Sequence, residues 1–139
     1  MKNIFVTGCA GYIGSHTCVE LLNENYNVIG IDNFSNSKKN VLDNITKITG
    51  KVINFYEGNM LDKDLLDNEI DAVIDFAAFK SVGDSVSKPI EYYINNVSSV
   101  LTLLSVMKKH NVKTLVFSSS ATVYGDSKIM PITEECKTG

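Results

Sequence analysis

The chain has 139 residues, 44% of them hydrophobic, with 13 basic against 16 acidic side chains and a formal charge of −3. That length supports one domain, residues 1–139, with a core of its own and leaves no room for a second. A pI near 5.3 and scattered lysines exclude the electrostatic footprint of a protein that binds nucleic acid or an anionic membrane.

No run approaches membrane-spanning length, and Met1-Lys2-Asn3 leads straight into a strand pattern instead of a signal-peptide core, so a cytoplasmic location is expected. Three cysteines with no C-x-x-C pair and no neighbouring histidines suggest neither a disulfide framework nor a metal site. The Asn-x-Ser/Thr matches at Asn33, Asn44 and Asn96 are then chance matches.

The first apolar run, 3–7, is followed by Thr7-Gly8-Cys9-Ala10-Gly11-Tyr12-Ile13-Gly14-Ser15-His16, which reads as a phosphate-binding turn between a buried strand and a helix. Glycine is needed there so that the chain can bend and its backbone approach a pyrophosphate, held by the free N–H groups of the helix start. The spacing Gly8-x-x-Gly11-x-x-Gly14 is one residue wider in its first gap than the common fingerprint. Cys9 is either a reactive thiol or simply a small turn residue. A helix over about 12–23 places Ile13, Thr17, Leu21 and Leu22 on one side.

The second strand, 27–31, ends at Asp32, which either caps the next helix or hydrogen-bonds a ribose 2′-hydroxyl, a carboxylate there preferring NAD over NADP. A helix over about 37–48 carries Val41, Leu42, Ile45 and Ile48 inward and stops at Gly50. After a third strand, 51–56, comes Glu57-Gly58-Asn59-Met60, a plain turn or an adenine contact through Asn59. A short helix is expected after Asp62, with Leu65 and Leu66 inward.

The fourth strand, 72–76, runs into Phe76-Ala77-Ala78-Phe79-Lys80, where small residues let the backbone pass a flat cofactor and Lys80 is either solvated or part of the site. The longest helix begins after Pro89. Ile90, Tyr93, Ile94, Val97, Val100, Leu101, Leu104 and Met107 form its apolar face, expected to pack on the sheet or to serve a subunit interface, beside a polar stripe of Asn95, Ser98, Ser99 and Thr102. A fifth strand, 114–117, ends at Ser118-Ser119-Ser120, polar strand-end residues or partners of nicotinamide and substrate.

Apolar strands alternating with helices specify an α/β, doubly wound, Rossmann-like parallel sheet in the order 3-2-1-4-5, incomplete on its carboxy-terminal side. Ligands of such sheets lie across the carboxyl ends of the strands where the order reverses, between strands 1 and 4.

Together these motifs resemble the extended short-chain dehydrogenase/reductases, and within them the branch that epimerises UDP-hexoses at C4. The likeness is carried by Thr7-Gly8-x-x-Gly11-Tyr12-Ile13-Gly14-Ser15-His16, Asp32-Asn33 with Asn36-Ser37-Lys38, Phe76-Ala77-Ala78-x-Lys80-x-Val82-Gly83-x-Ser85, Lys88-Pro89-x-x-Tyr92-Tyr93-x-Asn95-Asn96-Val97 and Phe117 through Gly125. The resemblance implies a tightly held NAD and a UDP-hexose substrate. It implies that Gly8, Gly11, Tyr12, Ile13 and Gly14 meet the pyrophosphate, and that Asp32, Asn33, Phe34, Ser35, Asn36 and Ser37 surround the adenosine ribose. Asn59 and Met60 would flank adenine; Phe76, Ala77, Ala78, Phe79, Lys80, Asn95 and Ser118 would line the cofactor; Ser120 would hydrogen-bond the sugar hydroxyl being oxidised. A homodimer built on the long helix is implied as well.

Two departures stand out. Asn59 replaces the family's usual Asp, and the Tyr-x-x-x-Lys helix that carries the family's base is not found. Tyr124-Gly125-Asp126-Ser127-Lys128 matches that pattern but reads as a decoy, because Gly125 and Pro131 disfavour the helix that would align its ends. The chain is therefore expected to be an amino-terminal fragment or truncated product, inactive alone. Two other readings remain: a nucleotide-sugar dehydratase, which Ala121 and Thr122 disfavour by standing where an acid pair is needed, and a stand-alone NAD-binding module without turnover.

Overall fold

The computed structural model describes residues 1–59 and 69–139. Five strands, β1 (Asn3–Thr7), β2 (Asn27–Asp32), β3 (Asn54–Glu57), β4 (Ala72–Asp75) and β5 (Leu115–Phe117), form one all-parallel sheet in the order β3-β2-β1-β4-β5. The expected order is thus the observed one. Thr7 pairs with Ile31 on one side and Asp75 on the other, Asp32 with Glu57, and Asp75 with Phe117, so the carboxyl ends of all five strands share one edge.

Alternation along each strand divides the core in two. Ile4, Val6 and Val28 face α1 (Tyr12–Asn23) and α2 (Asn40–Thr49), meeting Cys18, Leu22 and Ile45. Phe5, Ile29, Ile31 and Val73 face the opposite way and meet Leu103, Met107 and Val112 of α5 (Ser99–Lys109) and the turn after it. Strands buried on both faces are what continuous apolar runs such as Ile4-Phe5-Val6 encode, each buried side chain contributing roughly 1.5–3 kcal/mol before the entropy of ordering is subtracted.

Several expected faces and boundaries differ. In α1 the buried positions are Gly14, Cys18 and Leu22, whereas Ile13 is about half exposed, because the close approach of Gly14 to the glycine loop turns that side of the helix inward. Ile48 is exposed, and α2 begins at Asn40 because the Ser37 hydroxyl is committed to the Asp32 carboxylate. Gly50 does end α2, in the left-handed conformation at φ 67°. Residues 51–53 lie outside the sheet, with Lys51 N–H donating to the Thr49 hydroxyl, so β3 starts at Asn54. The helix expected after Asp62, with Leu65 and Leu66, lies outside the described residues.

The long helix departs most. A short α3 (Val82–Ser87), capped by the Ser81 hydroxyl, precedes it. The helix itself is α4 (Pro89–Tyr93), a π-helical turn (Ile94–Ser98) and α5 in continuous succession. Its buried positions are Ser99, Leu103 and Met107, while Ile90, Tyr93, Ile94, Val97, Leu101 and Leu104, expected to pack on the sheet or to serve a subunit interface, are exposed and do not pack on the sheet. The buried stripe thus holds one residue of the small polar set, Ser99.

Candidate functional site

A cleft of about 830 Å³ lies across the carboxyl ends of β1 and β4, where the strand order reverses. Its floor is the glycine loop. Gly8 has φ 61°, and a Cβ there would stand 3.1 Å from the backbone of Phe76 and Ala77. At Gly14 a Cβ would lie 2.1 Å from the Gly8 carbonyl oxygen, a separation no side chain can occupy. The turn closes with Gly11 N–H donating to the Gly8 carbonyl at 3.0 Å, and α1 then begins without any side-chain cap and with no acidic residue in its first turn. The N–H groups of that turn, at the positive end of the helix dipole, are left for an anion.

Asp32 ties this loop to the next one. Its Oδ2 accepts the Ala10 N–H at 3.0 Å, and its Oδ1 accepts both the Phe34 N–H at 2.8 Å and the Ser37 hydroxyl at 2.7 Å. The carboxylate is nearly buried yet borders the cleft, so it both organises the loop and faces the cleft. Asn33, Ser35, Asn36 and Ser37 border the same end, as does Asn59. Phe34 is not among the lining residues: its ring packs on Phe55 at 5.3 Å, beneath the Lys39 ammonium. Met60 lies outside the described residues.

On the β4 side, Phe76, Ala77, Ala78, Phe79 and Lys80 form one wall, with Asn95 behind them and Ser118 and Ser120 beyond the end of β5. Ser120 caps the 3₁₀ turn Ala121–Tyr124, accepting the Thr122 N–H at 3.2 Å. Tyr124 ends that turn, Gly125 follows with φ 55°, and no helix is found among the described residues from there to Gly139, so Tyr124 and Lys128 do not share a helical face.

Three residues near the site make contacts that were not assigned to them from the sequence. Thr7 at the end of β1 donates its hydroxyl to Asp75 Oδ1 at 2.5 Å and accepts the N–H groups of Phe76 and Ala77, each at 3.1 Å. Asp75 is buried, its Oδ2 has no partner among the described residues, and burial raises its carboxyl above the usual range against the pull of the Thr7 hydroxyl. Asn96 grips the Phe79 backbone. Thr7 opens the glycine motif, Asp75 stands at the end of a strand and Asn96 belongs to the motif Asn95-Asn96-Val97, but none of these signals gives the contact each residue makes. Cys9 is fully buried, its thiol pushed up by burial and by the neighbouring Cys18 and Asp32, and Cys18 is pushed up to about 12 by burial, so Cys9 is a packing residue of the turn.

An open parallel sheet with an uncapped glycine turn at its switch point and a carboxylate after the second strand has the architecture of the doubly wound nucleotide-binding class. The chain belongs to the NAD dependent epimerase/dehydratase family, whose model matches residues 4–139. It is 57% identical over 141 aligned residues to the UDP-glucose 4-epimerase of Haemophilus influenzae and 52% identical to that of Bacillus subtilis, in both cases over 98% of this chain. Among solved structures it resembles UDP-glucose 4-epimerase from Bifidobacterium longum in complex with NAD+ and UDP, with a TM-score of 0.94 and 54% identity over 99% of this chain and 43% of that one. The Stenotrophomonas maltophila enzyme with bound NAD and formylated UDP-arabinopyranose gives 0.93 and 42% identity over 100% of this chain and 43% of that one. The chain spans 42% of the length of the first two relatives.

Proposed function

We propose that this chain, as a single domain, is the NAD-binding amino-terminal part of a UDP-glucose 4-epimerase, a cytoplasmic enzyme of galactose metabolism that interconverts UDP-glucose and UDP-galactose. The observation that carries the reading is the loop geometry: a Cβ at Gly14 would strike the Gly8 carbonyl, and the carboxylate of Asp32 is bonded to Ala10 within the same turn. A turn packed that closely under an uncapped helix start fits a pyrophosphate, and the carboxylate beside it fits a 2′-hydroxyl and repels a 2′-phosphate.

In this reading the N–H groups of Tyr12 and Ile13 hold the pyrophosphate, and Asp32 through Ser37, except the Phe34 ring, surround the adenosine ribose. Phe76 through Lys80 flank the dinucleotide, with Asn95 and Ser118 beside it. Bound NAD supplies the hydride acceptor and donor for transient oxidation at C4 of the sugar. Ser120 orients the hydroxyl that loses its proton. Proton removal needs a base matched to that hydride step, and Tyr124 with Lys128 lacks the helix that would couple them; the 139-residue chain alone is therefore inactive. The exposed stripe Ile90, Tyr93, Val97 and Leu101 fits a dimer face in the longer protein. The absence of an acid pair at Ala121 and Thr122 disfavours dehydration.

The test is NAD titration of the 139-residue chain by thermal shift, with nucleotide extraction from the purified protein. A ligand that binds only the folded state raises Tm with concentration. A rise that grows with NAD, and is lost in Asp32→Ala when measured from that variant's own NAD-free Tm, supports the reading. No shift at millimolar NAD overturns it for this chain.

A further inference from the structure

We propose that NAD binds to the form of this chain in which Asp75 carries a proton on Oδ2, so that binding draws a proton from solution to the floor of the cleft. The inference rests on the NAD reading above.

Asp32 and Asp75 both border the cleft, in different surroundings. Asp32 accepts two backbone N–H groups and the Ser37 hydroxyl, with both oxygens engaged. Asp75 is 2% exposed and meets one side-chain donor, Thr7. Counting hydrogens fixes which of its oxygens can hold a proton. Thr7 Oγ1 accepts the N–H groups of Phe76 and Ala77, which occupies both lone pairs, so its single hydrogen goes to Asp75 Oδ1. Oδ1 is therefore the accepting oxygen. Oδ2, with no partner among the described residues, is the one left to protonate. A bare carboxylate oxygen in a buried place is costly, and protonation removes the charge.

The groups around Asp75 do little to hold a charge there. It shares a face of the sheet with Val73 and Ile31, toward α5, and alternation puts Asp32 on the other face. α5 has no ionisable residue before Lys108, and the buried residue it brings to the cleft is the neutral Ser99. β5 sets Phe117 beside Asp75, α4 brings Tyr92 to the cleft, and Tyr56 of β3 packs at the edge of the same core. Burial raises the carboxyl, and the Thr7 hydroxyl and Ala77 N–H lower it; Lys80, in the cleft wall, does not figure among these influences.

A bound dinucleotide adds two effects of one sign. Its pyrophosphate at the glycine turn brings negative charge to the strand ends that Thr7 and Asp75 share, and its bulk displaces water from the cleft. Both disfavour an ionised Asp75, so the carboxyl titrates at higher pH in the complex than in the free chain. By linkage, affinity is greatest below the free chain's value and is lost as pH rises through the higher value of the complex. The proton comes from the buffer and forms the O–H bond on Oδ2; nothing is oxidised or reduced.

The experiment is calorimetric titration of NAD into the 139-residue chain between about pH 5 and pH 8, in buffers of different ionisation enthalpy, which counts the protons taken up. Wild-type protein is expected to take up protons on binding and to bind roughly tenfold more weakly at the upper end of the range. Asp75→Asn, with a neutral amide, should take up none and keep one affinity throughout. Histidine is the other side-chain type that changes charge in this range, and His16 packs on Tyr12 in the first turn of α1; His16→Gln should keep the uptake. No uptake by wild type, uptake that survives in Asp75→Asn, or uptake lost in His16→Gln overturns the proposal. The Asp75 carboxyl carbon, followed by NMR with no substitution, should titrate at higher pH with NAD than without; an equal or lower value overturns it too. Wild-type protein that binds no NAD overturns the cofactor reading and this inference with it.

Discussion

Helix α1 and the α4–α5 helix flank the same sheet but use their side chains in opposite ways. α1 buries Gly14 against the glycine loop and Cys18 and Leu22 against the sheet, and carries on its outer side only the first-turn pair Tyr12 and Ile13 as large exposed apolar groups. The α4–α5 helix turns Ser99, Leu103 and Met107 inward and leaves Ile90, Tyr93, Ile94, Val97, Leu101 and Leu104 in solvent. One helix therefore completes its packing against the sheet. The other covers the sheet with one stripe and leaves a second stripe in solvent, while Asn95, Asn96 and Ser99 border the cleft. A single apolar stripe reports one buried face; two reports that a helix serves two surfaces, and solvent exposure decides which is already covered.

The largest effect should come from Gly14→Ala, where α1 has no room to yield. Its Cβ would meet the Gly8 carbonyl oxygen at 2.1 Å, backbone against backbone, so the helix must lift off the loop. A loss of roughly 3 kcal/mol or more is expected in urea unfolding, together with loss of any NAD-dependent rise in Tm. A stable variant with unaltered NAD response would mean that the close approach of loop and helix is not what forms the site.

The next comparison stays within α5. Leu103 is 4% exposed and Leu101 is 62% exposed, two residues apart on the same helix. Leu103→Ala should cost about 3 kcal/mol, and Leu101→Ala less than about 0.5 kcal/mol in dilute protein. Should Leu101→Ala also prove costly, and the cost grow with protein concentration, the outer stripe is buried between copies of this chain, which light scattering would register as association.

The smallest effect concerns Asp75, below the wall that the two helices bracket. Burial raises its folded-state carboxyl above the ordinary 3.8. Between the unfolded and the folded value the folded state holds the extra proton, so stability is highest at acid pH with respect to this group and falls as pH rises through the raised value. Asp75→Asn keeps an acceptor for the Thr7 hydroxyl and removes the charge. It should raise Tm at neutral pH and flatten that part of the pH profile; a lowered Tm at neutral pH would show that the charged form is the one the Thr7 network stabilises.

Much of this molecule is legible in its residues alone. The strand order follows from apolar runs of strand length separated by helical segments, because parallel pairing with right-handed crossovers leaves few arrangements. The glycine loop and Asp32 are legible because each acts through residue type at a fixed distance from a strand end. Boundaries were less legible, since Ser37 and Thr49 each spend a hydroxyl on a contact that moves an element's end.

Sequence alone determined the sheet, its switch point and the position of the glycine turn, because local spacing and backbone sterics decide those. Only the tertiary structure decided which stripe of the α4–α5 helix is buried, that Phe34 turns onto Phe55, and that Thr7, Asp75 and Asn96 hold the cleft wall. These depend on partners some 17 to 70 residues apart in the chain, brought together by the pairing of β1 with β4 and the packing of the helix against the wall. Periodicity shows that a face is apolar or that an amide is present; the packing of distant segments settles what each one meets.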